Sequence, residues 1–358
     1  MLDLLIKSIF LVTRLIQHRL RLMNDSSVIY RSIVTSKFRT EKMLNFYESI
    51  GDEDKDNTIY ITFGRSEPWS DNESEVGFAP PYPVDNTQGV VDMWTHMMGC
   101  VKVMPSMLDA IIPRKDWGDI RYPNPRNFAI GEIVVVNSAP YNATEVGSGW
   151  MVYRCIDIPD AGTCSINTIK NKEECIKLGG RWTSSVQSAF PPRGRGDATN
   201  DNKIDMKDGY LWEYLYEIPP DVSINRCTNE YIVVPWPDEV KEDPERWGYN
   251  QNLEWEHDAY GIIYRVKAYT IRFKAYFDSV YFPEAALPGN KGFRQISVIT
   301  NPLEAKKIPS EPNKKAKNLW YDPIDLSRHS GEMIYMENRP PIIMAMDQTE
   351  EINIIFEF

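Results

Sequence analysis

The sequence carries none of the short motifs through which common enzymes bind phosphate or activate a nucleophile. There is no glycine-rich phosphate loop, no G-x-S-x-G elbow and no H-E-x-x-H motif. Histidine is also scarce, because the 358 residues include only four. They stand far apart in the sequence, as His18, His96, His257 and His329. We therefore predict a protein that is not an enzyme, with no catalytic residues and no cofactor.

Cysteine is the next residue type in short supply. There are five, widely spaced, and none forms a C-x-x-C pair or a Cys/His zinc pattern. They are Cys100, Cys155, Cys164, Cys175 and Cys227. An odd number at wide spacing is typical of a cytosolic protein, so we predict reduced and mostly buried thiols and no metal site.

No apolar run is long enough to cross a bilayer, which takes about 20 residues. Within residues 1–22 the longest uncharged stretch runs only from Ser8 to Thr13. Apolar residues recur there at helical spacing, with Lys7, Arg14, His18 and Arg21 on the other face. A membrane-surface helix is one interpretation of this segment. Asp3 and the lack of a small-residue cleavage site argue against a signal peptide.

An excess of acidic residues gives the chain a formal net charge of −11. Such a chain repels a phosphate backbone unless it carries a concentrated basic patch. The nearest candidate is a group of lysines in a proline-containing stretch, with no aromatic residue before Trp320. Its members are Lys306, Lys307, Lys314, Lys315 and Lys317. This composition predicts a solvated loop, so we expect no nucleic-acid partner.

Hydrophobic periodicity predicts a mainly β protein with a few short helices. Helices are predicted over residues 27–50, 90–98 and 172–178. Strands are predicted over residues 58–63, 132–137, 150–156, 211–218, 231–234, 269–277, 296–300, 333–336 and 352–358. Many strands joined by long loops predict a layered antiparallel β-sandwich, with short helices in the loops and an N-terminal helix.

The clearest strand runs from Tyr269 to Phe277. Ile271 and Phe273 lie on one side of its alternating pattern, with Arg272 and Lys274 on the other. This period of two predicts a half-buried strand.

One loop resembles a calcium-binding pattern. Oxygen-bearing side chains occupy positions 1, 3, 5, 9 and 12 of an EF-type loop, as Asp197, Thr199, Asp201, Asp205 and Asp208. Position 6 is Asn202 rather than glycine, and position 12 is Asp208 rather than glutamate. The alternative is a turn-rich surface loop, within a segment 183–209 that we predict to be exposed.

Two kinds of segment are candidates for partner contact. Trp247, Tyr249 and Trp255 are interleaved with acidic residues over 238–258, which indicates either a solvated loop or a partner-binding segment. The proline-rich segments Phe78–Pro83 and Arg339–Pro341 fit two interpretations equally well. They are extended edges for partners or ordered loops packed on the sheet.

Several long, non-repetitive stretches resemble the gene product eight family, the baseplate wedge subunits of T4-type contractile phage tails. The resemblance runs from Met23 to Phe358. The stretches are Met23–Arg31, Thr62–Trp69, Asp92–Gly99, Glu217–Tyr231, Asp278–Phe293 and Ser330–Thr349.

This resemblance implies a structural late protein of the virion, located in the tail baseplate and assembled in the host bacterial cytoplasm. It implies a β-sandwich homodimer that joins the wedge through gene products seven, ten and six, and it supplies no catalytic residues. Residues 1–22 precede the family's start, so we predict an extension outside the core fold, arising from an upstream start. The remaining residues, 23–358, form the predicted wedge domain.

Two other classes of protein stay open beside this interpretation. One is a calcium-dependent, tail-associated receptor-binding protein, for which the Asp197–Asp208 loop is the motivating pattern. The other is a tail-associated enzyme that acts on the host envelope.

Overall fold

The computed structural model describes residues 33–51, 57–117, 126–137, 149–196, 202–222, 230–249, 256–278, 292–305, 320–343 and 349–358. All helices and strands of the described ranges lie in one compact unit, Ser36–Phe358. The helices are α1 (Ser36–Ser49), α2 (Thr87–His96), α3 (Lys172–Lys177), α4 (Pro237–Glu242) and α5 (Glu256–Val266). Short 3-10 turns occur at Pro105–Met107 and Pro323–Asp325.

Sixteen strands make up most of the regular structure of the described residues. They are β1 (Ile59–Gly64), β2 (Met97–Val103), β3 (Leu108–Pro113), β4 (Lys115–Asp116), β5 (Ile133–Asn137), β6 (Trp150–Asp157), β7 (Gly162–Cys164), β8 (Trp182–Ser184), β9 (Lys203–Asp205), β10 (Leu211–Ile218), β11 (Tyr231–Val234), β12 (Thr270–Asp278), β13 (Gly292–Thr300), β14 (Trp320–Tyr321), β15 (Glu332–Ile343) and β16 (Thr349–Glu357). The predicted fold class, mainly β in antiparallel sheets with short helices, is confirmed.

Three larger sheets organise these strands. Sheet I has the order β14-β2-β1-β13-β15, sheet II the order β4-β5-β6-β10-β9, and sheet III the order β11-β3-β12-β16. Every pairing within them is antiparallel except that of β4 with β5. The hairpin β7-β8 forms a separate two-stranded sheet.

Sheet I is buried on both faces at its centre. In β1, Ile61 belongs to the main core, whereas its neighbour Tyr60 belongs to a second cluster with Trp94 of α2. All six residues of β1 and all nine of β13 are buried. A strand covered on both sides loses the polar alternation of a half-exposed strand, which explains the mostly apolar composition of β1. Strand β13 buries polar residues as well, among them Arg294 and Gln295.

Sheet II likewise packs against a hydrophobic cluster on each of its two faces. Along β5, Val135 belongs to the main core, whereas Val134 joins a cluster that contains Trp182 and Trp212. Sheet III shares the main core through Ile271, Phe273 and Ile354. The main core therefore connects all three sheets in one hydrophobic interior.

The prediction of a half-buried strand over 269–277 is wrong at Arg272 and Lys274, although Tyr276 on the same side is 46% exposed. Arg272 is 1% exposed and Lys274 is 6% exposed, as buried as Ile271 on the apolar side. The pattern could not reveal this because burial depends on what packs against the strand. A carboxylate on β3 supplies the compensating charge, as described below.

The prediction that all the cysteines are reduced is also wrong. Cys164 of β7 and Cys175 of α3 form a disulfide. The two cysteines are 11 positions apart in sequence, and the fold brings them within bonding distance. Sequence spacing alone does not predict whether two cysteines come this close. Cys100 and Cys155 are buried thiols outside the disulfide, as predicted, and Cys227 lies outside the described residues. Burial raises the pKa of the Cys155 thiol to about 12, with smaller contributions from Glu132 and Asp157.

The predicted elements are otherwise found close to their expected positions, with some additions. Helix α1 lies within the predicted 27–50, whereas residues 1–32 and the extension 1–22 lie outside the described ranges. Helix α5 was not predicted.

In the segment 183–209, Ser188 and Asn202 are buried, so the prediction of an exposed loop is wrong at these positions. No helix of the described ranges is both long and apolar enough to cross a membrane.

Candidate binding groove and buried ionic cluster

A groove of about 570 Å³ lies beside α2. It is lined by Arg65, Trp69, the segment 81–84, residues of α2 and Asn338. Asn86 begins α2 by accepting a hydrogen bond from the Gly89 amide, which satisfies one free donor of the first turn. Tyr82 projects from the wall with its side chain 94% exposed.

Buried ion pairing holds the loop that forms this wall. Arg294 of β13 donates from Nε and Nη2 to the two carboxylate oxygens of Glu73, at 2.5 and 2.8 Å. The same guanidinium donates from Nη1 to the Ser66 carbonyl at 2.7 Å. A bidentate pair with side chains only 3% and 9% exposed fixes the orientation of the loop as well as its position.

The two proline-rich segments meet at this wall. Asn338 donates to the Pro81 carbonyl at 2.9 Å, and the Trp69 indole donates to the Arg339 carbonyl at 3.0 Å. Of the two interpretations, a packed and ordered loop describes Phe78–Pro83. Arg339–Pro341 instead belongs to β15, an edge strand of sheet I. Tyr82 nevertheless remains free to meet a partner.

Polar groups converge at the groove around Asp92. Its carboxylate accepts a hydrogen bond from Gln295 Nε2 at 2.7 Å and lies 3.1 Å from His96 Nδ1. The Arg65 guanidinium stacks over the Trp69 ring at 4.2 Å from the centroid. Arg65 adopts a left-handed backbone, with φ of 58°, a conformation that costs energy in a residue other than glycine. An arginine, a tryptophan and an exposed tyrosine around a concave surface are typical of a protein-binding site.

A second polar centre lies inside sheet III. Arg272 Nε and Lys274 Nζ of β12 contact Oδ2 of Asp109 on β3, at 3.2 and 2.9 Å. Asp109 and Arg272 side chains are each 2% exposed. Burial by itself raises the pKa of Asp109, but hydrogen bonds and charge from Lys274 and Arg272 outweigh it and hold the pKa below its usual value. The cluster thus supports the β3–β12 pairing with a buried ionised carboxylate.

The aromatic residues predicted for partner contact are core residues instead. Trp247 is 3% exposed and Tyr249 is 6% exposed, and both belong to the main core. The Trp247 carbonyl accepts a hydrogen bond from the Glu217 amide at 2.8 Å, which binds this segment to β10. The hydrophobic effect draws these rings inward although acidic residues flank them in sequence. Trp255 lies outside the described residues.

The calcium pattern is only partly visible, since Asp197, Thr199 and Asp201 lie outside the described ranges. Asp205 contacts Lys207 Nζ at 2.7 Å, and Asp208 accepts hydrogen bonds from Ser188 Oγ and the Tyr210 amide. The two described aspartates thus have partners of their own. Within the described ranges, no group of three or more His, Cys, Asp or Glu residues could hold a metal ion. The lysine group 306–317 also falls outside these ranges.

These features define a class of protein. A β-rich chain with buried internal ion pairs and an aromatic groove on its surface fits a structural protein that binds other proteins through that surface. A sequence profile described as bacteriophage T4 Gp8 matches residues 32–358, and the chain belongs to that family. It is 75% identical over 336 residues to "Baseplate wedge protein gp8" of Enterobacteria phage T4. The match covers 94% of this chain and 100% of the relative, which confirms the resemblance found in the sequence.

Proposed function

We propose that this chain is a structural subunit of the baseplate wedge in a contractile phage tail. It resides in the virion and is assembled in the host bacterial cytoplasm. The observation that carries the proposal is the 75% identity along the full length of a baseplate wedge protein. The alternative of a calcium-dependent receptor-binding protein is not supported by the comparisons, and Asp205 and Asp208 already have protein partners.

The subunit works by presenting fixed surfaces to its neighbours. It forms a homodimer and joins the wedge through gene products seven, ten and six. Sheets buried on both faces, together with ion pairs such as Arg294–Glu73, support movement as a rigid body when the baseplate rearranges during infection. Packed interiors have discrete arrangements and do not deform continuously.

The groove beside α2 is the surface we assign to a neighbouring wedge protein. Tyr82 supplies a large exposed ring, and Arg65 stacked on Trp69 supplies a preorganised cationic and aromatic pair. This assignment replaces the predicted contact through Trp247, whose ring is not accessible.

The test is light scattering coupled to size exclusion, on the chain alone and mixed with gene products seven and ten of the same phage. We expect a dimer that shifts quantitatively into a larger complex. A dimer that ignores both proteins would overturn the assignment of partners, and a chain that binds nothing would overturn the wedge role.

The role needs no catalysis, and we propose that the chain has none. A cell-wall and glycan degradation assay on the purified chain tests this separately from assembly. Release of soluble fragments above the level of a heat-denatured control would overturn it.

A further inference from the structure

The disulfide lies in a small module that is separate from the three large sheets. This disulfide module spans residues 158–188, directly after β6, and contains β7, α3 and β8. Among the described residues, β7 and β8 pair only with each other, through three residue pairs. Helix α3 has six residues. Elements this short have little stability of their own, so contacts between them must hold the module together.

The disulfide conflicts with the compartment in which a phage protein is made. Cys164 of β7 and Cys175 of α3 are joined in the folded chain, whereas a bacterial cytoplasm keeps protein thiols reduced. A virion that leaves the cell enters a medium with dissolved dioxygen, where disulfides form and persist. The two compartments therefore favour different states of this pair.

Contacts other than the disulfide fix the start of α3. Lys172, the first residue of α3, donates from Nζ to the Ile158 carbonyl at 2.6 Å. The same Nζ lies 3.0 Å from Asp157 Oδ1 and 2.6 Å from Asp160 Oδ1. This ammonium group therefore ties α3 to the end of β6 whether or not the cysteines are joined.

Hydrogen bonds hold the rest of the disulfide module. The Ser165 amide donates to the Arg181 carbonyl at 2.9 Å, and the Arg181 amide donates to Ser165 Oγ at the same distance. The Ser185 amide donates to the Ala161 carbonyl at 2.8 Å. These bonds involve no sulfur atom, so we expect the reduced chain to keep them and to hold the two thiols close together.

The surroundings of the sulfur atoms favour this pair over another thiol nearby. A Cβ atom at position 180 would lie 2.8 Å from Cys175 Sγ and 2.9 Å from Cys164 Sγ, so Gly180 leaves the room that both sulfurs need. Cys155 belongs to the same hydrophobic cluster, but burial raises the pKa of its thiol to about 12. Because the thiolate is the nucleophile of disulfide exchange, Cys155 does not compete at neutral pH.

We infer that Cys164 and Cys175 form a redox lock, which stays open during assembly in the host cytoplasm and closes after the virion is released. The inference rests on the proposed function, because a virion protein assembled in the cytoplasm passes from one compartment to the other. Closure breaks two S–H bonds, forms one S–S bond and releases two protons and two electrons. Dissolved dioxygen accepts them and is reduced to hydrogen peroxide.

The lock acts after the neighbouring proteins are in place. While the thiols are open, α3 and β7 are joined only by non-covalent contacts, so the disulfide module can adjust as partners dock. After closure, α3 cannot separate from β7. The assembled particle thereby gains local stability that the chain does not need during folding.

The state of the pair in the two compartments tests this inference. Infected cells taken before lysis and purified virions are both quenched in acid, which stops thiol exchange, and are then denatured and alkylated. Mass spectrometry reads the label on each cysteine. We expect Cys164 and Cys175 to be alkylated in the cytoplasmic chain and protected in the virion chain. Cys155, outside the disulfide, is the internal control and should be alkylated in both samples.

The outcomes separate the lock from the proposed function. A pair already joined in the cytoplasm would overturn the lock, and so would a pair that is still alkylated in virions. Absence of the chain from purified virions would overturn the proposed function as well.

Limited trypsin digestion of the full chain tests what the lock holds. Arg181 lies between α3 and β8 with its side chain 70% exposed, so it offers a cleavage site within the disulfide module. We expect slower cleavage there in the closed chain than in the reduced chain, because opening of the module is restricted. The matched control combines Cys164→Ser with Cys175→Ser and should be cut at one rate with and without oxidant. Equal rates for the open and closed parent would show that the lock does not stabilise the module.

Discussion

Asp109 and Arg272 lie opposite each other on strands β3 and β12, and their side chains form an ion pair that is only 2% exposed on either side. Lys274 adds a second cation to the same carboxylate oxygen. One anion is therefore the shared counter-charge of two cations that lie buried on a central strand. Removing that anion leaves a much less favourable arrangement than removing either cation.

We predict that Asp109→Ala lowers the free energy of unfolding by about 3–5 kcal/mol, because both cations would remain buried and unpaired. Urea denaturation measures the loss. The control is Glu357→Ala, which removes the exposed partner of Arg39 and should cost less than about 1 kcal/mol. Equal losses in the two variants would contradict the role assigned to the cluster.

The lowered pKa of Asp109 predicts a dependence of stability on pH. A carboxylate whose folded pKa lies below its unfolded value, about 3.9, stabilises the fold above that value. It loses this contribution as pH falls through the folded pKa. The parent should therefore lose more unfolding free energy than Asp109→Asn as pH falls below about 4. Thermal melts across this range measure the difference, and parallel profiles would exclude the effect.

The disulfide between Cys164 and Cys175 predicts a redox-dependent stability. Replacing both residues with serine should lower the free energy of unfolding by at most about 3 kcal/mol, because the crosslink closes a short loop of the unfolded chain. A thiol reductant should lower the parent's stability and leave the double variant unchanged. A parent insensitive to reductant, after full reduction of the pair, would contradict this expectation.

Trp247 and Tyr82 should give opposite phenotypes. Trp247→Ala removes a core ring and should cost about 3–5 kcal/mol of stability. Tyr82→Ala removes an exposed ring from the groove, so it should leave stability unchanged and weaken binding to a wedge partner by about 2 kcal/mol. Denaturation and a binding titration separate the two effects.

The control for the Tyr82 result is Val76→Ala, at a fully exposed position outside the groove lining. Normal binding by Tyr82→Ala would remove the groove from the wedge interface.

Local patterns in the sequence were sufficient for family, fold class and most strands. The alternation from Tyr269 to Phe277 predicted β12, and a glycine stop predicted the end of α3, because backbone periodicity and helix termination depend on neighbouring residues. The long stretches shared with the gene product eight family identified the family from the residues alone, and the 75% identity to a wedge protein confirms it.

Only the tertiary structure decided which of these residues are buried and which meet. Arg272 resembles a solvent-facing residue until Asp109, 163 positions away, is placed beside it. Cys164 finds Cys175 through packing, and acidic neighbours do not keep Trp247 at the surface. Burial and pairing are set by contacts between distant segments, and such contacts have no period in the sequence.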